Sequence, residues 1–101
     1  MRIMVSMDRR LPGADLVEKG LRDLDRREET PEALLVAIGG PRLRALGFTV
    51  PSIESPEHRL YDLLRKIHGK DAHSQYNALI RRLVSFERAA ECASQRTKTN
   101  C

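Results

Sequence analysis

Apolar residues recur at helical spacing along most of the chain, with charged residues at the positions between them. Over 16–24 the apolar residues share one face of a helix, and opposite charges four residues apart mark the other face as solvated. Over 76–93 an apolar repeat of seven residues continues for nearly three heptads, which predicts one long helix. Asp71 or Ser74 caps this helix, and it is expected to run to about Ser94.

Signals for helix starts and ends divide the middle of the chain into capped segments. Thr30, followed by proline and glutamate, combines an N-cap hydroxyl with residues preferred in a first helical turn. Ser55 begins the same combination, and Gly69 follows the last apolar position of the stretch after it. These signals predict helices over 31–38 and 56–68.

The remaining connections are short and also carry recognisable signals. Asp15 and Glu18 have the spacing of a capping box and predict the start of the first helix. A proline after two glycines opens a short third helix over 41–46. The residues over 48–55 are too few and too rich in flanking prolines for a sheet, so they are expected to form an extended connector.

We therefore predict an all-α fold, a compact bundle of four to five helices with a long C-terminal helix. A single helical domain is expected over 13–95, after a flexible or short extended segment over 1–12 and before a frayed tail over 96–101. The first segment contains three alternative start residues: Met1, Met4 and Met7. The predicted core draws on every helix and the connector: Leu16, Leu21, Leu24, Leu34, Leu35, Ile38, Leu46, Phe48, Leu60, Leu64, Ile67, Leu79, Leu83 and Phe86.

Length and composition limit the class of protein. The 101 residues are 41% apolar and 32% charged, which is enough for one modest core. No apolar run approaches the ~18 residues of a membrane span, so a cytoplasmic protein without membrane contact is expected. The net charge of +4 is unevenly placed, with nine basic and eight acidic residues over 1–50 and nine and six over 51–101. Such an excess is ordinary, so its position matters more than its size.

Six basic side chains of the fourth and fifth predicted helices form a candidate surface for nucleic-acid phosphates or an acidic partner. They are Arg65, Lys66, Lys70, Arg81, Arg82 and Arg88. Glu87 and Glu91 partly compensate this charge, so a solvated surface without a partner is the alternative. The few aromatic residues offer little for bases to stack on, which argues against sequence-specific reading of single strands.

The turn before the third helix is a second candidate site. Gly40 leaves backbone N–H groups accessible, and Arg42 and Arg44 follow in the first turn, an arrangement that suits an anion such as phosphate. The same residues are also what an ordinary corner between two helices requires, and that interpretation is the alternative.

Catalytic and metal-binding patterns are absent from the sequence. The three histidines are His58, His68 and His73. His68 and His73 flank Asp71 but match no standard ligand spacing, and no phosphate-binding or nucleophile motif occurs. Cys92 and Cys101 make no disulfide framework and are expected to be free thiols. We therefore expect no enzyme, no cofactor and no metal site.

Two functions from different classes fit this pattern. The first is a non-catalytic protein-interaction module that forms a homodimer or binds a partner protein through apolar surface left on the fifth or the second helix. Ile80 and Val84, which widen the apolar stripe of that helix, are the candidate interface. The alternative is a small nucleic-acid-binding regulator that uses the basic face of the same helix.

Overall fold

The computed structural model describes residues 10–95, which form an all-α bundle. Its elements are α1 (Ala14–Asp25), α2 (Pro31–Ile38), α3 (Gly40–Ala45), α4 (Pro56–His68), a single 3₁₀ turn (Gly69–Asp71) and α5 (Ala72–Gln95). The prediction of an all-α bundle with a long C-terminal helix is confirmed, and the predicted bounds of α2 and α4 are those observed. The first nine residues of the segment predicted at 1–12 and the whole tail predicted at 96–101 lie outside the described residues.

Helices α1 and α2 cross at very short range because α1 carries a glycine at the crossing point. A Cβ atom on Gly20 would lie 2.4 Å from the backbone oxygen of Glu32 and 2.4 Å from Cγ2 of Val36. No side chain fits in that space, so the backbone of α1 rests directly on α2. This contact fixes the first helical pair of the bundle.

A buried carboxylate joins the end of α1 to the start of α2. Asp23 is 4% exposed, and it accepts hydrogen bonds from Lys19 Nζ at 2.7 Å and from Thr30 Oγ1 at 2.5 Å. Thr30 Oγ1 in turn accepts a hydrogen bond from the backbone N–H of Ala33. This hydrogen bond caps α2, as predicted. Burial pushes the pKa of Asp23 upward, but the hydrogen bonds from Lys19 and Thr30 outweigh burial and hold the pKa below its usual value. The expectation that this charged face of α1 is wholly solvated is therefore wrong at Asp23.

One core cluster receives residues from all five helices and from the connector between α3 and α4. Helix α2 lies at its centre, with Leu34 and Leu35 both fully buried, and it packs against α1 on one side and α4 on the other. Helix α5 folds back along α4, and its Phe86 meets Phe48 of the connector with ring centroids 6.1 Å apart. None of the helices in the described part of the chain is long and apolar enough to cross a membrane.

Two predicted helix caps are not formed. Helix α1 begins two residues earlier than the capping box implied, after Gly13 in the left-handed conformation, and Asp15 makes no cap hydrogen bond. Ser55 also adopts the left-handed conformation (φ 50°, ψ 52°), and its side chain makes no cap hydrogen bond to α4. At both positions the path of the preceding loop overrides the local sequence preference.

Ile67 is the one predicted core residue that is exposed, at 56%. It continues the stripe of Leu60 and Leu64, but it lies in the last turn of α4, where the chain bends into the 3₁₀ turn and the core no longer covers that stripe. Three further predicted core residues are half-buried at the edge of the cluster: Ile38, Leu46 and Leu79. Cys92 is disulfide-bonded, which corrects the expectation of a free thiol at this position.

Candidate functional site

Five basic side chains lie exposed on α4, on α5 and on the turn that joins them. We call this set the basic surface: Arg65, Lys66, Lys70, Arg81 and Arg88. Helices α4 and α5 pack directly against each other, so the set occupies one helical hairpin. Within residues 10–95, none of the five makes a hydrogen bond or salt bridge with another side chain.

The hairpin has a basic excess that lies in its middle part. Residues 56–95 contain seven basic and five acidic side chains, a net charge of +2, and the segment 63–90 within them contains six basic and two acidic side chains, a net charge of +4. One of those two acidic residues, Glu87, is buried and does not face solvent. The basic excess of the hairpin is therefore found around the basic surface, between Asp62 and Glu91 in the sequence.

Arg82 differs from the other five residues of the predicted basic set because it forms a salt bridge within the fold. Its Nη2 atom donates to Oδ1 of Asp15 at 3.1 Å, so it bridges α5 to the start of α1. Arg82 therefore contributes to a contact within the fold, while Arg81 and Arg88 project from the outer side of α5.

The two arginines of the candidate anion site have their guanidinium groups engaged within the protein. Arg42 donates from Nε and Nη2 to the two carboxylate oxygens of Glu91, at 3.0 and 2.7 Å. Arg44 donates from Nε to the carbonyl oxygen of Val50 at 2.8 Å, and from Nη2 to Oγ of Ser52 at 3.2 Å. These contacts join α3 to α5 and to the connector that precedes α4, and α3 has only six residues in which to present free N–H groups.

Glu87 is a buried carboxylate, which corrects the expectation that it compensates the basic residues on the solvent side. It is 2% exposed, its Oε1 lies 3.4 Å from Nη1 of Arg42, and its Oε2 has no hydrogen-bond partner. A Cβ atom on Gly39 would lie 2.5 Å from that Oε2, so the corner between α2 and α3 packs closely against the carboxylate. The spacing of Glu87 to Leu83 and Ala90 places it within the apolar stripe, and this signal was present in the sequence.

The two glutamates that face α3 have opposite pKa shifts. Burial raises the pKa of Glu87, the charge of Glu91 adds to that rise, and Arg42 opposes it. The hydrogen bonds from Arg42 lower the pKa of Glu91 despite a smaller effect of burial. Arg42 therefore binds mainly to Glu91, while Glu87 is an ionisable group that is buried from water.

The candidate apolar interface on α5 is less exposed than an interface requires. Ile80 and Val84 are both half-buried, and Ile80 packs against the core cluster of its own chain. In the described part of the molecule the one large apolar side chain that is exposed is Ile67 on α4. The apolar surface available to a partner therefore centres on the end of α4.

The histidines lie on the same hairpin and are exposed. His58 lies 3.3 Å from Asp62 on α4, and His73 shares a hydrogen bond of 3.3 Å with the amide of Asn77 on α5. Across residues 10–95 no three histidine, cysteine or acidic side chains come together as metal ligands would.

Comparison with protein-family models, with curated proteins and with solved structures finds no match to this chain. The basic surface and the buried Glu87 are therefore interpreted from their own chemistry.

Proposed function

We propose that this chain is a non-catalytic, cytoplasmic binding module that contacts nucleic-acid phosphates through the basic surface of the α4–α5 hairpin. The observation that supports this most is the set of five exposed basic groups on one hairpin, none of which forms a hydrogen bond or salt bridge within residues 10–95. Of the five, Arg88 has the charge of Glu91 nearby on α5. Phosphate contacts of this kind supply most of the affinity of non-specific nucleic-acid binding.

The second candidate is a protein-interaction module that self-associates as a homodimer. It is favoured by Ile67, whose side chain is 56% exposed at the end of α4, next to the half-buried Leu63. One exposed isoleucine is a small patch, because stable interfaces bury about 800 Å² on each partner. For this reason we rank self-association below the basic surface.

Size-exclusion chromatography with light scattering, at low and high salt and with a mixed pool of DNA and RNA, separates the two candidates. Phosphate binding predicts a monomer that elutes with nucleic acid at low salt and releases it at high salt. Self-association predicts a dimer that depends on neither salt nor nucleic acid, and that dissociates when Ile67 is changed to serine. A monomer that binds no nucleic acid at low salt contradicts both.

A charge-reversed pair of variants then tests the surface itself. Arg81→Glu with Arg88→Glu reverses two exposed groups of the basic surface, and Arg26→Glu with Arg27→Glu makes the same change of net charge on the loop after α1. We expect the first pair to abolish binding and the second to weaken it only slightly. Equal losses in the two pairs would mean that overall charge, and not this surface, causes the binding. Circular dichroism confirms that both variants keep their helicity.

A further inference from the structure

We infer that the basic surface recognises the phosphate backbone of a nucleic-acid duplex, independently of base sequence, and disfavours single strands. This inference rests on the proposed function and specifies the form of nucleic acid that the site accepts. Two observations support this inference. The aromatic rings of the protein are packed against one another, and the arginines of α5 are held on a rigid helix.

All four aromatic side chains of the protein are packed against one another in pairs. Phe48 and Phe86 form a buried pair in the core. Tyr61 and Tyr76 meet edge to face between α4 and α5, with ring centroids 6.0 Å apart, and both are half-buried. Proteins that hold single strands without sequence preference stack successive bases on exposed aromatic rings. This hairpin presents no such ring to a partner.

The arginines of α5 are presented by a rigid element. Arg81 and Arg88 are seven residues apart on a helix of 24 residues, so their attachment points are separated by about 10.5 Å along its axis. Over that length a duplex carries roughly six phosphates, counted over both strands, at one charge per ~1.7 Å. A duplex also holds its phosphates in place, so fixed cations meet fixed anions, whereas a flexible single strand loses conformational freedom on binding.

The composition of the surface also explains why no base sequence is expected to be preferred. Direct reading of bases requires side chains that enter a groove and pair with base edges, usually from a helix that lies in the major groove. Between Arg81 and Arg88, the outer side of α5 carries Ser85 and the half-buried Val84. The hairpin presents long basic side chains, which reach the phosphates on the outside of a duplex. Contacts of that kind position a protein on a duplex without selecting a sequence.

Fluorescence anisotropy with labelled oligonucleotides tests the inference on the full-length chain. The probes are two duplexes of unrelated sequence, their separated strands, and an RNA duplex of the same length, each titrated at several salt concentrations. We expect both DNA duplexes to bind with affinities within about threefold of each other and at least ~10-fold more tightly than the single strands. The RNA duplex identifies which duplex form is preferred.

The salt dependence of the binding affinity measures how many phosphate contacts the protein makes. If all five basic groups engage a DNA duplex, log K falls with log salt at a slope of about −4.5, which is roughly a 500-fold loss of affinity between about 50 and 200 mM salt. Arg81→Gln with Arg88→Gln should reduce the slope by about 2, since each phosphate contact contributes about 0.9. The matched control, Arg26→Gln with Arg27→Gln, should leave the slope unchanged.

The outcomes separate this inference from the function on which it rests. Single strands bound as tightly as duplexes, or a preference of more than about tenfold for one duplex sequence, would overturn the duplex inference and leave the proposed function standing. No binding to any probe at low salt would overturn both. An unchanged slope in the Arg81/Arg88 variant would move the binding site away from α5 and would also overturn the inference.

Discussion

Glu87 sits on the apolar side of α5, and its surroundings decide which protonation state the folded protein favours. One carboxylate oxygen faces Arg42 at 3.4 Å, and the other faces Gly39 without a hydrogen-bond partner. Burial raises the pKa above the ordinary value of 4.5, so the folded state holds this proton more tightly than the unfolded chain does. The ionised form of Glu87 therefore lowers the stability of the fold at neutral pH, and protonation relieves that penalty.

Replacing Glu87 by glutamine should consequently stabilise the protein at neutral pH. The side chain keeps its shape but loses the charge, and we expect the free energy of unfolding at pH 7 to rise, because the ionised carboxylate is the form that burial disfavours. The difference from the wild type should narrow as the pH falls through the folded pKa of Glu87 toward 4.5, because the wild type then also carries a neutral side chain. Urea denaturation followed by circular dichroism at several pH values measures this.

Glu91, one helical turn further along α5, provides the control for that experiment. Its pKa is lowered by the hydrogen bonds from Arg42, so its charge stabilises the fold above pH 4.5, and that contribution is lost as the pH falls through its folded pKa. Glu91→Gln should therefore be less stable than the wild type at pH 7, with the difference vanishing in acid. If Glu87→Gln is also destabilising at pH 7, the ion pair of Glu87 with Arg42 outweighs its burial, which contradicts our account.

At the scale of elements, α1 and α2 meet at Gly20 with no room for a side chain between them. Glycine is normally unfavourable inside a helix, where alanine is better by about 1 kcal/mol. Here the added methyl group would meet the backbone oxygen of Glu32, which cannot move without displacing α2. The crossing thus requires a residue that the helix by itself disfavours.

Gly20→Ala should therefore destabilise the protein by roughly 1–3 kcal/mol, the range for overpacking a well-packed core, in spite of the better helix propensity. Gly40→Ala is the matched control, since the nearest atom to its added Cβ is Nη2 of Arg44, at 3.1 Å, and a shift of a few tenths of an ångström by that side-chain end relieves the contact without moving a backbone. We expect the control to change the midpoint of thermal unfolding little. A stabilised Gly20→Ala protein would show that α1 and α2 separate at low cost.

The helix boundaries show which parts of an element its sequence determines. Thr30 and Ser55 begin the same combination of hydroxyl, proline and glutamate, yet Thr30 caps α2 while Ser55 lies in the left-handed region and caps nothing. The cap on α2 forms because Asp23, distant in sequence, also binds the Thr30 hydroxyl at 2.5 Å. Local signals thus located both helices correctly, whereas the geometry of the caps depended on tertiary contacts.

In the candidate site, too, local sequence determines some features and tertiary contacts determine others. Helical spacing sufficed to place Arg81 and Arg88 on the outer side of α5, because that side is opposite the buried leucine stripe. The partners of Arg82 and Arg42 lie 67 and 49 residues away in sequence, at Asp15 and Glu91. Periodicity gives the face of a helix but not the neighbour that meets it, so these two pairings required the three-dimensional structure.

At the scale of the whole molecule, the single core determines how the protein unfolds. The core cluster includes Val17 of α1, Leu34 of α2, Leu60 of α4 and Phe86 of α5, so no helix pair has a separate core. Tyr61 and Tyr76 are the only tyrosines, the chain has no tryptophan, and the two rings meet between α4 and α5. Tyrosine fluorescence therefore reports on the hairpin, while circular dichroism reports on all the helices.

Weakening α1 should consequently lower the stability of the distant hairpin by an equal amount. Val17 is fully buried in α1, and Val17→Ala is expected to cost on the order of 2 kcal/mol. In a single cooperative domain, the urea midpoints from tyrosine fluorescence and circular dichroism should coincide in the wild type and shift together in the variant. A fluorescence midpoint that stays in place while the dichroism midpoint falls would mean that α4 and α5 remain folded without α1. In that case the basic surface would belong to a hairpin that folds independently of the rest of the bundle.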